Sequence, residues 1–382
     1  MKPDWNRLGP NRPLAAEDAA EYVESPTAAS LRIAKLIEAG SSPLLVAGPV
    51  GVGKSTELAR AAFLLVSSRP ACVVALDRHE NMRRITAGQA LLRIAGEVVR
   101  FGIEVLEALL STPLVEDLVT AKVLSAKFST RSPLDGADTR LTREPRDLAV
   151  SALREVSKWG TEHRIAILVD GLEKTPEQTA RPVLDALADL TGEADIVVVV
   201  PAHCVYGPMS DTVIAAGEKA VFLRPVGFNA DPNLPSPCLP WFREMVARRL
   251  QLGIEDLLRA PADFSDVVTR CAWLSGGLPR TFLQLLADAA TYARLHREAD
   301  WPAQVDLYDA EMDLRDSFRR LLLPGDIDAI RNVEGTDGLE MDLARKLRLL
   351  SHGILLELEE QELPVMRTNP LVRHLVQPIQ HA

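Results

Sequence analysis

One run of residues has the types and spacing of a phosphate-binding loop. It reads Gly48-Pro49-Val50-Gly51-Val52-Gly53-Lys54-Ser55-Thr56 and fits the pattern G-x-x-x-x-G-K-[ST]. Glycines let backbone N–H groups turn toward a β-phosphate, the lysine reaches the β- and γ-phosphate oxygens, and the Ser55 hydroxyl can hold Mg²⁺. We therefore predict that these residues bind ATP with Mg²⁺, and no guanine-specific N-K-x-D sequence argues for GTP. The alternative is an ordinary glycine-rich turn between a strand and a helix.

Two carboxylates follow a buried apolar run further along the chain, in Asp170-Gly171-Leu172-Glu173-Lys174. An aspartate at the carboxyl end of a buried parallel strand can orient Mg²⁺ through water. Glu173, on the turn that leaves the strand, could polarise the water that attacks the γ-phosphate. We predict Asp170 as a metal residue and Glu173 as the catalytic carboxylate. The alternative is that both acids simply begin a turn.

The pattern of apolar runs predicts the elements that must position these residues. Five short apolar runs predict buried strands, at residues 44–47, 71–76, 165–169, 196–200 and 220–223. Helical stretches separate them, and this alternation indicates a parallel sheet that is covered on both faces. We predict an α/β fold with a P-loop ATPase core at residues 28–230 and an N-terminal arm at residues 1–27.

The remaining chain predicts two further parts. Residues 229–240 contain four prolines, a composition typical of a domain linker. Residues 241–303 have helical patterning throughout and are predicted to form a helical lid. Residues 307–382 combine helices with two alternating apolar runs, which predicts a winged-helix-like domain.

The motifs together resemble the additional-strand ATPases, and among these the origin-recognition-like AAA+ and the signal-transducing STAND families. The resemblance is carried by the intact Walker A loop, by a strand between Walker A and Walker B, and by the D-G-x-E form of Walker B. In addition, Leu274-Ser275-Gly276-Gly277-Leu278-Pro279-Arg280 is similar to the G-G-x-P-R helix start of origin-recognition-like lids and shares G-L-P with STAND lids. The resemblance implies that Pro279 adjoins the nucleotide and that Arg280 touches the γ-phosphate as sensor 2. A solvated arginine at a proline-started helix is the alternative.

Three other roles that the resemblance implies stay open in the sequence. Tyr22 and Val23 would contact adenine, unless their segment only pins an N-terminal arm to the core. His203 is the polar side chain nearest the sensor 1 position, although a histidine beyond a strand is more often structural. Arg224 occupies a place where a trans arginine finger could act, but Leu223-Arg224-Pro225 is similar to the structural L-x-P motif of STAND proteins.

Charge sets limits on the partner. The chain carries a formal net charge of −10, and from residue 306 onward it has nine basic against fifteen acidic residues. The basic side chains that could reach DNA from the winged helix are Arg345, Lys346, Arg348 and Arg367. Acidic residues crowd the wing at Glu357, Glu359, Glu360 and Glu362. These charges favour docking to a protein over reading DNA.

We therefore expect a nucleotide-dependent molecular switch, with slow regulatory ATP hydrolysis, whose effector or sensor is a separate protein. A bacterial signalling or defence operon is the setting that the resemblance suggests, and a nucleotide-dependent oligomer stays open. One alternative is a DNA-associated ATPase of origin-recognition or transposition-regulator type. Another is a nucleotide-binding scaffold with negligible turnover.

Composition excludes other classes of protein. At 382 residues, with 47% hydrophobic and 25% charged residues, the chain can bury more than one core and is not disordered overall. Its four cysteines show neither zinc-site nor disulfide spacing. No signal peptide or uncharged membrane-length run is visible, so a cytoplasmic, reducing location is expected.

Overall fold

The computed structural model describes residues 3–10, 14, 18, 20–128, 143–160, 164–206, 219–229, 231, 234–253, 256, 260–360 and 363–376. The chain groups into two compact units. The first, here the sheet unit, contains residues 30–47 and 57–222, and the second, here the P-loop unit, contains residues 1–29, 48–56 and 223–382. The predicted boundaries of arm, core, lid and C-terminal domain stay predictions. Part of the arm and Glu362 of the wing lie outside the described residues.

A five-stranded parallel sheet is the centre of the sheet unit. Its strands are β1 (Leu44–Ala47), β2 (Ala71–Ala75), β3 (Ala166–Asp170), β4 (Asp195–Val199) and β5 (Lys219–Phe222). Each of the central strands β1, β3 and β4 is buried along its whole length, which is why apolar runs in the sequence located them. The predicted α/β fold with a parallel sheet is confirmed.

The order of the strands is β2-β3-β4-β1-β5. Strand β1 therefore lies between β4 and β5. Strands β1 and β2 follow each other in sequence, but β3 and β4 lie between them in the sheet. Since all five strands are parallel, β1 and β3 end at the same edge of the sheet, with β4 between them. Ligands of open parallel sheets bind outside this carboxyl edge.

Helices cover the sheet. They are α1 (Ala29–Glu38), α2 (Lys54–Leu65), α3 (Ala87–Val105), α4 (Thr112–Thr120), α5 (Pro145–Ser157) and α6 (Glu177–Ala188). Helix α3 packs on α5 and α6, and its buried face includes Ile94 and Val98. A capping box at Thr86 and Gln89 fixes the start of α3. No helix within the described ranges has both the length and the apolar character needed to cross a membrane.

The helices of the P-loop unit form two groups along the chain. The first group is α7 (Leu239–Arg249), α8 (Ala262–Leu274) and α9 (Pro279–Arg297). These helices share a core in which the rings of Phe242 and Phe282 stack with centroids 4.2 Å apart. The predicted helical character of residues 241–303 agrees with these elements.

The second group is winged-helix-like. It consists of α10 (Gln304–Arg319), α11 (Asp326–Val333), α12 (Leu343–Ser351), the antiparallel hairpin of β6 (Leu355–Glu360) and β7 (Leu363–Thr368), and α13 (Pro370–Val376). Helix α12 begins at Leu343 because the Asp342 carboxylate accepts from the Arg345 backbone N–H at 2.9 Å and caps the helix. The combination of helices and hairpin confirms the predicted fold type of this region.

Candidate nucleotide-binding site

The P-loop connects the end of β1 to the start of α2. Helix α2 begins at Lys54, so the backbone N–H groups at its N-terminus lie within the loop, where an anion is stabilised. Gly51 has a φ of +87°, a left-handed conformation that a residue with a side chain rarely adopts. The loop therefore has both the backbone and the helix start that phosphate binding requires.

Lys54 is held inside the loop. Its ammonium donates to the carbonyl oxygens of Gly48 at 2.9 Å and Pro49 at 3.0 Å, and the residue is only 6% exposed. These contacts keep a positive charge beside the turned backbone of the loop. A phosphate bound there would meet a charge that is already positioned.

The N-terminus of α9 contacts the same loop. The backbone N–H of Arg280 donates to Gly51 O at 3.2 Å, and a Cβ added at Gly51 would lie 2.9 Å from Arg280 Cβ. Within the described part of the chain, no residue pairs with the Arg280 guanidinium. Pro279, the other predicted residue of this turn, is the first residue of α9. The two predicted motifs thus come together, as a sensor 2 role for Arg280 requires.

A glycine pair fixes the start of α9. Gly276 and Gly277 have φ values of +60° and +78°, and a Cβ on Gly277 would lie 1.7 Å from Val226 O. The backbone N–H of Val226 donates to Gly277 O at 3.2 Å. The segment that contains Leu223-Arg224-Pro225 is therefore in direct contact with the turn that aims Arg280 at the P-loop.

A third contact to the P-loop comes from the winged-helix-like region. The backbone N–H of Val50 donates to the carbonyl oxygen of Ser351, the last residue of α12, at 3.0 Å. Sequence reasoning missed Ser351, and no signal could have found it because the contact uses only backbone atoms. Two separate elements, α9 and α12, thus touch the loop that is predicted to hold the nucleotide.

The N-terminal arm is fastened at several points. Thr56 Oγ1 accepts from the Leu14 backbone N–H at 3.4 Å. Tyr22 and Val23 are buried, and their carbonyl oxygens accept from the Arg248 guanidinium and, at 3.3 Å, from Trp241 Nε1. These bonds fit the pinned-arm reading, whereas adenine contact by Tyr22 and Val23 stays a prediction.

The acidic residues belong to the sheet unit. Asp170 is the last residue of β3 and is 8% exposed, and no described residue hydrogen-bonds to its Oδ1. Glu173 lies on a short 3-10 turn, Leu172–Lys174, in which Lys174 forms an ion pair with Asp77. A buried carboxylate oxygen without a protein partner fits a hard cation that takes its other ligands from water and phosphate.

The surroundings of Asp170 fit a predicted Mg²⁺ residue. Among the described residues no group of three or more His, Cys, Asp or Glu side chains could hold a metal by itself. Mg²⁺ bound through one carboxylate, one hydroxyl and the phosphates needs no such group. Ser55 and Asp170 as metal residues, and Glu173 as the catalytic carboxylate, stay predictions.

The structure also describes the surroundings of His203 and Arg224, the residues considered for sensor 1 and for an arginine finger. His203 lies on a 3-10 turn after β4, where burial lowers its pKa although the charge of Glu177 opposes the change. Arg224 bonds Glu357 Oε1 through Nε at 2.9 Å and contacts Glu359 Oε2 at 3.3 Å. Both carboxylates belong to β6 of the wing, so the contacts favour the structural role of Arg224. A phosphate-sensing role for His203 stays a prediction.

The basic residues considered for DNA contact have partners inside the winged-helix-like region. Asp326, which is 0% exposed, lies 3.3 Å from Arg345 Nε and 2.5 Å from Arg348 Nη2. The Lys346 ammonium is buried and donates to Asp337 O at 3.0 Å. Arg367 lies 3.9 Å from Glu334. We conclude that these charges hold the region together.

No family model matches the chain, and no curated protein is similar to it in sequence. Among solved structures, the chain is similar to the RuvB Holliday junction branch migration motor of Thermotoga maritima, with 12% identity over 93% of this chain and 96% of that chain and a TM-score of 0.39. It is also similar to the ORC2 protein of Aeropyrum pernix in its ADPNP-ADP complexes, with 12% identity over 92% of each chain and a TM-score of 0.45.

Scores at this level carry no argument about function. The fold is defined instead by the strand order β2-β3-β4-β1-β5 with a P-loop directly after the central strand β1, an arrangement like that of the AAA+ core. The predicted additional-strand architecture is confirmed, because β4 lies between β1, which leads into the P-loop, and β3, which ends in Asp170.

Proposed function

We propose that this protein is a STAND-type molecular switch, which binds and slowly hydrolyses Mg-ATP and passes its nucleotide state to a separate protein. The observation that carries the proposal is the double contact to the P-loop, from Arg280 of α9 and from Ser351 of α12. A nucleotide in the loop would act directly on both contacts. A change of nucleotide could therefore change the position of α9 and of the winged-helix-like region.

Each predicted residue has a role in this scheme. The backbone of residues 48–56 and the Lys54 ammonium bind the phosphates. Ser55 and Asp170 would hold Mg²⁺, which would supply positive charge to neutralise the phosphates. Glu173 takes a proton from water, whose oxygen bonds to the γ-phosphorus while the bond to the bridging oxygen breaks and ADP leaves. Arg280 responds to the charge of the γ-phosphate.

The charge distribution favours a protein as the receiver of the signal. The basic side chains considered for DNA contact, Arg345, Lys346, Arg348 and Arg367, are engaged by Asp326, Asp337 and Glu334. Glu357 and Glu359 of the wing engage Arg224. We propose the cytoplasm as its location, and the four buried cysteine thiols support a reducing compartment.

The proposal is tested by hydrogen exchange of the protein without nucleotide, with ADP and with ATP. We expect residues 276–284 around the start of α9 and residues 347–354 around Ser351 to change their protection between ADP and ATP. Arg280→Ala should remove the difference in α9 while ATP still binds, and Glu173→Gln should preserve the ATP-bound pattern by slowing turnover.

Identical exchange in all three states, with ATP shown to be bound, would contradict the switch. Turnover and bound-nucleotide state that are both unchanged in Glu173→Gln would move the catalytic role to another residue and favour a scaffold with negligible hydrolysis. Arg294→Ala serves as the matched control, because Arg294 lies near the other end of α9 and contacts the carbonyl oxygen of Pro3.

A further inference from the structure

Helix α10 has an apolar face that nothing in the described chain covers. Val305, Tyr308 and Met312 are 59%, 60% and 41% exposed, and their spacing of three and four residues places them on one side of the helix. The opposite side of α10 is buried, and the helix packs on α8, α9 and α13. We call Val305, Tyr308 and Met312 the α10 stripe.

Carboxylates line one edge of the α10 stripe. Asp309 lies 3.4 Å from His296 Nδ1, and Asp313 accepts from the Tyr292 hydroxyl, both across the α9–α10 contact. Burial and the charge of Asp313 raise the pKa of Asp288 on α9. The hydrogen bond to Asp313 and the charges of Asp288 and Asp309 raise the pKa of Tyr292. Several carboxylates thus act on one small area, which makes its potential negative.

Few cations balance this edge. Residues 298–314 contain six Asp or Glu and neither Lys nor Arg. Two of the six are buried: Asp306 pairs with Arg297 of α9, and Glu311 pairs with Arg270 of α8. The other four, Glu298, Asp300, Asp309 and Asp313, remain to give the edge its negative charge. Arg315 is paired with Glu311 on the same helix. Arg319 and Arg320 lie at the C-terminal end of α10, beyond the last residue of the stripe. The surface is therefore apolar along its centre and acidic along the edge toward α9.

We propose that the α10 stripe binds a basic amphipathic helix of the partner protein. An apolar helix face takes apolar anchors that repeat every three or four residues, and an acidic edge takes Lys or Arg beside those anchors. Tyr308 supplies the large amphipathic side chain typical of residues that dominate such interfaces. This inference rests on the proposed function, because it names the chemistry of the partner that reads the switch.

The test uses the full chain and three labelled synthetic peptides of equal length, read by fluorescence anisotropy. One peptide is a basic amphipathic helix with leucines at helical spacing, the second has the same residues in an order without that spacing, and the third replaces every Lys and Arg by Glu. We expect the first peptide to bind about tenfold more tightly than either of the others. Equal binding of the two basic peptides would overturn the proposal, because attraction to the net negative chain alone would then explain it.

Variants locate the binding. The double variant Tyr308→Ser with Met312→Ser should weaken the first peptide about tenfold, and Asp309→Asn with Asp313→Asn should weaken it mainly at low salt. Leu109→Ser is the matched control, since Leu109 is an exposed apolar residue of the sheet unit. Unchanged affinity in the Tyr308 and Met312 variant would reject the α10 stripe as the binding surface.

Two further measurements separate the outcomes. Sedimentation of the natural chain and of Tyr308→Arg tests self-association, and a dimer that only the variant loses would make a second copy the occupant and overturn the proposal. ATP affinity of the Tyr308 and Met312 variant should equal that of the natural chain. If the first peptide binds but the natural chain binds no nucleotide, the proposed switch fails while the α10 stripe stands.

Discussion

At the residue scale, the two basic residues at the P-loop, Lys54 and Arg280, differ in whether their charged groups have a partner. The Lys54 ammonium is bonded to two carbonyl oxygens of the loop itself, whereas no described residue pairs with the Arg280 guanidinium. A charge already anchored in the loop is suited to hold a phosphate in every nucleotide state. A side chain with no fixed partner is suited to respond when the γ-phosphate appears or leaves.

Removal of the anchored charge should abolish nucleotide binding. Lys54→Ala deletes the cation that faces the phosphates, and we expect ATP affinity to fall by on the order of 100-fold or more. Titration calorimetry measures this directly. Lys35→Ala removes an exposed lysine from α1 and should leave the affinity unchanged. ATP affinity that is retained in Lys54→Ala would contradict the assignment of the site.

Substitution of Arg224 tests whether this residue is a structural arginine or an arginine finger. Its guanidinium is bonded to Glu357, which is buried, so Arg224→Ala should lower the free energy of unfolding by about 2 kcal/mol. We expect ATP turnover per folded molecule to stay within about twofold, because the Arg224 guanidinium is bonded to Glu357 and Glu359 of the wing. Chemical denaturation and a phosphate-release assay provide the two values. A stable variant with a large loss of turnover would instead indicate an arginine finger.

At the element scale, the start of α9 depends on a turn that only glycine permits. A Cβ at Gly277 would lie 1.7 Å from Val226 O, and the φ of +78° is itself unfavourable for alanine. Gly277→Ala should therefore cost on the order of 3 kcal/mol of stability or more. Gly192→Ala is the matched control, because nothing lies within 4 Å of its added Cβ and its stability should change by about 0.5 kcal/mol or less. Equal melting temperatures for the two variants would show that the turn relaxes easily.

Elements differ in how far the sequence predicts them. The five strands begin and end within one residue of the apolar runs, because a strand buried on both faces needs a continuous run of apolar side chains. The sequence analysis does not predict helices α3 and α4 as separate elements. The order of the strands depends on pairings between distant segments, and the resemblance of the motifs was its only indication.

The candidate site likewise has parts that the sequence predicts and parts that it does not. Motifs predicted the P-loop and the α9 start, and the structure brings them together through Gly51 and Arg280. The contact of Ser351 with Val50 has no side-chain signature and could not be predicted. Lys346 lies among arginines on an amphipathic helix, which makes it a candidate for DNA contact. However, its ammonium is buried against Asp337 O. Charge alone does not tell which cations of a helix are used inside the fold.

At the scale of the whole molecule, the lowered pKa values of three histidines should make the free energy of unfolding depend on pH. Partial loss of hydration is the main cause that lowers the pKa of His203, His352 and His374, although His352 and His374 keep contact with solvent. Nearby arginines add to the effect for His352 and His374. Because each folded pKa lies below the unfolded value of 6.5, the unfolded chain binds more protons as the pH falls. The free energy of unfolding should therefore decrease from about pH 7.5 to about pH 5.5.

Denaturation midpoints at several pH values in this window measure the effect. Replacement of all three histidines by glutamine should flatten the profile, because the group that titrates in this window is then absent. A flat profile for the natural chain would show that these side chains are as accessible to protons in the folded state as in the unfolded state.

The charge of the molecule also leads to a prediction that separates a protein partner from DNA. The net charge is −10, and the basic residues of α12 are engaged by Asp326 and Asp337. We expect no saturable binding of a labelled DNA duplex at low salt, since few cations are available to displace counterions.

Arg345→Ala should lower stability, because Asp326 is fully buried beside it, while Arg320→Ala at the exposed end of α10 should not. The opposite result, duplex binding that weakens with salt and is lost in a stably folded Arg345→Ala, would mean that Arg345 leaves Asp326 to contact phosphate. The winged-helix-like region would then act on DNA, and the DNA-associated ATPase would replace the protein-coupled switch.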